Sequence, residues 1–208
     1  MTEPTDDEPI ARARETLGRD EVIRRLVHAS GTVLPALYLL GLATWRQVTL
    51  LFALAAAVAL VLEAIRLVVG LDWRIYDRLT REYEQDNLAG YALYFISSAP
   101  VAAVFAPGVA VPAILMLTLA DPFSGLLGSA SAESVKETWV MLAVFGVATL
   151  LAVPFVPPLA AVLGGLAATV ADGVKPVVAG YVLDDNLTIP PSAAVAMRVG
   201  LELPAALG

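Results

Sequence analysis

Asp184-Asp185-Asn186 sets two carboxylates and an amide side by side, followed by Leu187-Thr188-Ile189-Pro190, in a chain that is otherwise strongly apolar. Oxygen donors of this kind suit a hard divalent cation such as Mg²⁺. They also cap helices, since Asp and Asn accept hydrogen bonds from the free amides of a first turn. A cap requires one such residue, and here there are three. Asp121-Pro122-Phe123-Ser124-Gly125, with Gly128 beyond, offers a further carboxylate beside small residues that leave room for a phosphate. The same residue types punctuate a helix-to-loop junction, so both readings stand. Asp172 opens the polar stretch that Asp184 and Asp185 close.

A second group lies near the start of the chain. In Glu21-Val-Ile-Arg24-Arg25-Leu-Val-His28, Glu21, Arg25 and His28 fall on one face of a helix turning about 100° per residue. A carboxylate, a cation and an imidazole then look the same way, although an anchoring basic turn with a solvated histidine has the same pattern. Glu63 and Arg66, three apart in an apolar stretch, are either an intrahelical pair or charges directed into a bundle. Lys136 stands three residues before Trp139, where an ammonium can meet a phosphate or reach for the membrane surface.

The elements that must position these groups are membrane helices. The chain has 208 residues, 58% hydrophobic and 16% charged, with a mean hydropathy of +0.76. A soluble domain is about 25% charged. Apolar segments at 29–44, 48–70, 88–107, 109–128, 139–155, 157–171 and 187–207 predict an all-α integral membrane protein of about seven transmembrane helices in one bundle. Residues 1–20 read as a polar cytoplasmic tail and 21–208 as one membrane domain, and residues 1–25 carry mixed charges without the apolar core of a cleavable signal peptide. With the N-terminus inside, eleven of the 13 basic residues fall in cytoplasmic segments, leaving only Arg46 and Arg198 outside. The polar loops then share the cytoplasmic face. Residues 72–87 are charged, with Ile75, Leu79 and Tyr83 at helical spacing, and read as an interfacial helix or a solvated linker. Pro190 and Pro191 suit the first turn of the last helix, and Arg198 and Glu202 can pair either inside the bundle or at the outer interface.

Composition excludes several chemistries. No cysteine is present, so neither thiolate catalysis nor disulfides arise, and one histidine cannot build a multi-histidine metal site. A net charge of -7 argues against nucleic acid as a partner. Neither a Walker-type phosphate loop nor a Gly-x-Ser-x-Gly elbow occurs.

In order along the chain, Glu21-x-x-Arg24-Arg25-x-x-His28, Glu63-x-x-Arg66, Arg81-Glu82-x-Glu84 ahead of Gly90 and Tyr94, Ala120-Asp121-Pro122, and Asp184-Asp185-Asn186-Leu187-Thr188-Ile189-Pro190 resemble the CTP-dependent polyprenol kinases, a family that includes dolichol, phytol and farnesol kinases. The last motif is the most specific. The chain departs from the family at Lys136-Glu137-Thr138-Trp139, which lacks the usual Gly, and at Asp172, where relatives carry Glu; the short form is similar to compact archaeal members. The resemblance implies transfer of the terminal phosphate of CTP to a long isoprenoid alcohol at the cytoplasmic membrane face. It implies Mg²⁺ on Asp121, Asp184 and Asp185, and phosphate or nucleotide contacts from Arg24, Arg25, Lys136 and Asn186. Asp185, His28 and Glu21 are the candidates for the catalytic base, with Glu63, Arg66, Glu84 and Asp172 in support. The rival expectations are a CTP:lipid cytidylyltransferase and a membrane transporter or structural protein with buried charge pairs.

Overall fold

The structure is a computed structural model and describes residues 26, 28–70, 87–127, 137–174, 177–178 and 181–207. Seven helices are present among the described residues: α1 (Val33–Leu39), α2 (Trp45–Val69), α3 (Gly90–Val104), α4 (Pro107–Leu127), α5 (Thr138–Ala152), α6 (Pro158–Gly173) and α7 (Asp185–Leu207). Their order follows the seven apolar segments of the sequence. By length and composition, α2 and α4 are long and apolar enough to cross a membrane, whereas α3, α5 and α6 are shorter apolar helices. Seven full spans are therefore not what the helix lengths give. The segment expected from residue 29 is divided by a turn at Gly31 and Thr32, leaving α1 only 7 residues long. In α7, Asp185, Arg198 and Glu202 interrupt the apolar run.

Helix boundaries follow local chemistry. Thr44 and Gln47 form a reciprocal capping box at the start of α2, and Gly70, at φ 69°, ends it in the left-handed conformation that glycine adopts without strain. Pro107 and Pro158 open α4 and α6, where a missing N–H costs nothing. α4 is the central helix, with every residue from 109 to 118 buried. α2 is peripheral and buries only Val48, Phe52, Ala59 and Glu63 along one seam.

That seam splints α3 at both ends. Trp45 Nε1 and Thr49 Oγ1 donate to the Ala102 carbonyl near the end of α3, each at 3.2 Å. At its start, Glu63 Oε2 accepts the Ala89 amide at 3.0 Å. These bonds satisfy backbone groups that a helix leaves unpaired at its termini. Elsewhere small residues permit close approach: a Cβ on Gly200 would lie 2.6 Å from Ala160 Cα, and one on Gly164 would lie 2.4 Å from Met197 Cγ. The α6–α7 contact is therefore a close one that small residues make possible.

Between α6 and α7, within the polar stretch, the chain forms a minimal hairpin, Val177–Val178 pairing antiparallel with Tyr181–Val182. It returns the chain from Asp172 to Asp185. At the far end of α7, Arg198 Nε meets Glu202 Oε1 at 2.6 Å with both side chains about 60% exposed. The pair is level with Ala160 near the start of α6, roughly 20 Å along the helix from Asp185. It faces outward, not into the bundle.

Candidate metal and phosphate site

Three carboxylates meet at one end of the bundle. Asp121 on α4, Asp172 at the end of α6 and Asp185 at the start of α7 each direct an oxygen into a group in which all three lie within 4.8 Å of one another. Asp172 and Asp185 are buried, and Asp121 is partly exposed. The donor set is oxygen-only and anionic, which fits a hard divalent cation and not a soft one. Three negative charges this close repel one another strongly unless a cation or proton lies among them.

The membership differs from the expected Asp121, Asp184 and Asp185. Asp184 Oδ1 accepts the Asn186 backbone amide at 3.0 Å and the Asn186 side-chain amide at 2.6 Å. Its backbone carbonyl also accepts from Leu187 and Thr188, so Asp184 caps α7. The two readings of the acidic pair thus divide between its members: Asp184 is the cap, and Asp185 faces the other helices. Asp172, expected only in support, occupies the third place.

Ser124 lies one turn beyond Asp121 on the same helix and donates from Oγ to Asp172 Oδ2 at 2.8 Å. This buried hydroxyl orients the carboxylate and was absent from the sequence-derived set. Asp121 to Gly125 form the last turns of α4, which runs to Leu127 in keeping with the apolar segment 109–128. Just before Asp121 the helix widens into a π turn at Met116–Ala120, in which the Asp121 amide bonds the Met116 carbonyl. The next amide in that register belongs to Pro122, which has none. The Leu117 carbonyl instead receives His28 Nε2 at 2.9 Å. A carbonyl only accepts, so Nε2 carries the hydrogen. The other ring nitrogen, Nδ1, faces Asp121 Oδ2 at 3.7 Å. His28 is therefore brought to the carboxylate group by the local breakdown of α4.

Two further contacts fix the histidine turn. Tyr94 on α3 donates to the Gly31 carbonyl at 2.9 Å, and Thr32 donates to Thr118 within the π turn at 2.9 Å. A Cβ on Gly31 would come 2.8 Å from the Tyr94 ring, so this position needs glycine. On the opposite flank, Ser97 of α3 donates to the Asn186 carbonyl at 2.6 Å.

Glu63 and Arg66 form the expected pair, at 2.6 Å between Oε2 and Nη2. Glu63 also accepts from Tyr91 at 2.5 Å, and Arg66 reaches the Asn87 carbonyl. With its bond to Ala89, this commits Glu63 to the start of α3 and not to the carboxylate group. Asn186 likewise spends its side-chain amide on Asp184 and, at 3.4 Å, on Asp185. Glu21, Arg24, Arg25, Glu84 and Lys136 lie outside the described residues, as does the amphipathic stretch apart from Asn87. No protein-family model, curated protein or solved structure matches the chain.

Proposed function

We propose that the protein is a membrane-embedded CTP-dependent kinase of a long-chain isoprenoid alcohol, acting at the cytoplasmic face with its N-terminus inside. The observation that carries this reading is the convergence of Asp121, Asp172 and Asp185 from three separate helices at one end of an apolar bundle. Phosphoryl transfer requires charge neutralisation and positioning more than covalent chemistry. A bound Mg²⁺ would neutralise the nucleotide phosphates there, held by those three residues. Ser124 keeps Asp172 oriented, Asp184 and Asn186 fix the turn that carries Asp185, and His28 stands beside Asp121, where an alcohol proton can be taken up. Arg24, Arg25 and Lys136 supply the cations that phosphates require.

The surface supports a lipid setting for the substrate. Leu50, Leu54, Val58, Val61 and Val68 on α2 are exposed along a helix with few buried positions. Soluble monomers rarely expose an apolar surface so continuous. A prenyl chain would approach the acidic end from the bilayer, between helices.

The test is incubation of the purified protein with labelled CTP or ATP, Mg²⁺ and a panel of prenols, followed by lipid extraction and nucleotide analysis. The expected products are a prenyl monophosphate and CDP. Release of pyrophosphate would instead establish cytidylyl transfer. Absence of Mg²⁺-dependent CTP binding in detergent would leave a non-enzymatic membrane protein.

A further inference from the structure

We infer that Ser97 is a positioning residue for the acidic site, supplying the hydrogen bond that Pro190 denies to the Asn186 carbonyl. The inference deepens the reading just given and rests on it for the metal, but its structural half stands alone. In an α-helix the carbonyl of residue i accepts the amide of residue i+4. For Asn186 that residue is Pro190, which has no N–H and whose ring crowds the carbonyl it faces. The prolines were expected in the first turn, where they would be harmless. They stand instead as the sixth and seventh residues of α7, where Asn186 and Leu187 lose the i+4 amides their carbonyls would otherwise accept.

A carbonyl left unpaired inside an apolar bundle is costly, and serine or threonine hydroxyls commonly take over such groups in membrane helices. Ser97 does so here. It is 3% exposed, and its hydroxyl lies 2.6 Å from the Asn186 carbonyl, nearer than its own-helix alternative at Tyr94, 3.1 Å away. The bond joins α3 to the residue directly after Asp185. Asn186 in turn donates to the carboxylates of Asp184 and Asp185. One hydroxyl thereby sets the height and rotation of the turn from which Asp185 reaches Asp121 and Asp172. Three residues earlier on α3, Tyr94 holds the His28 turn through Gly31. α3 is thus the bracket that spaces the histidine side of the site from the aspartate side.

The test is a double-mutant cycle on the full chain in detergent: wild type, Ser97→Ala, Ser97→Thr, Pro190→Ala and Ser97→Ala/Pro190→Ala. Thermal unfolding reads the bond itself. Ser97→Ala is expected to lower the midpoint by about 3 °C, and Ser97→Thr to preserve it. In the Pro190→Ala background the loss shrinks, because the restored amide takes the Asn186 carbonyl. Equal losses in both backgrounds would overturn the inference. Should Ser97→Ala alone fail to fold, folding of the double variant supports the inference and its failure overturns it.

Mn²⁺ uptake, followed by loss of the free-ion paramagnetic signal, reads the positioning. Ser97→Ala is expected to bind about tenfold more weakly, with recovery in Ser97→Thr and in the double variant. A folded Ser97→Ala protein with wild-type Mn²⁺ affinity would defeat the positioning role. A wild-type protein that takes up no Mn²⁺ would defeat the metal reading instead, and the thermal cycle would then decide the Ser97–Pro190 link.

Discussion

Asp172 is 2% exposed, accepts from Ser124, and faces two other carboxylates within 4.8 Å. Its replacement by asparagine retains an oxygen for the Ser124 hydroxyl while removing one of three mutually repelling charges. Two opposite outcomes follow for Asp172→Asn. In a chelator the variant should melt about 2–4 °C above wild type for each kcal/mol of relieved repulsion. Mg²⁺ should raise the wild-type midpoint and leave the variant nearly unmoved, since only a folded site binds and stabilises. An equal Mg²⁺ shift in the two proteins would remove Asp172 from the metal set. At this scale the sequence revealed residue types but not their assignment. Asp121 and Asp185 were legible because carboxylates in an apolar chain are conspicuous. The exchange of Asp184 for Asp172 was not, because which of two adjacent aspartates caps a helix depends on where that helix begins. Ser97 and Ser124 carried no signal of their own. The one available clue was Pro190, four residues after Asn186, which marks a carbonyl in need of an outside donor.

Among the helices, α2 and α3 illustrate how an apparent site residue becomes a structural one. Glu63, 1% exposed, gathers Arg66, Tyr91 and the amide of Ala89, which caps the start of α3. Removal of one member of a buried pair leaves the other charge without its counterion, at a cost of about 3–5 kcal/mol, whereas removal of both is far milder. Glu63→Ala should therefore destabilise the protein more than Glu63→Ala/Arg66→Leu, as measured by unfolding in detergent. If the double variant were the less stable, Arg66 would be held mainly by its bond to the Asn87 carbonyl. The i, i+3 spacing announced the pair. It could not announce Ala89 or Tyr91, which lie at the start of the next helix. The π turn before Asp121 was equally hidden, because Asp121-Pro122 reads as a helix end when the helix is considered alone.

Across the whole molecule, the order and number of helices were legible because each apolar run ends at charge, proline or glycine. Span lengths were less so. Close packing through Gly164, Gly165 and Gly200 and the break at Gly31 and Thr32 depend on partners distant in sequence. The exposed flank of α2 leads to a prediction at this scale. A nitroxide placed at Val58, which is 50% exposed near the middle of α2, should be accessible to dissolved oxygen and shielded from a water-soluble nickel complex in reconstituted vesicles. A label at Arg46, on the first turn of α2, should show the reverse. Strong nickel access at Val58 would mean that water, not lipid, covers this helix.

The carboxylate group also has a topological consequence. Asp172 and Asp185 flank a short hairpin, so they are near neighbours along the chain, while Asp121 comes from a helix separated from them by all of α5. Any ligand gripped by all three closes a long loop as well as a short one, and loop closure is entropic work that unfolding recovers. Release of such a ligand and separation of α4 from the α6–α7 pair are then one event. Occupancy of the site would lengthen the lifetime of the entire bundle, not only tidy the residues around it.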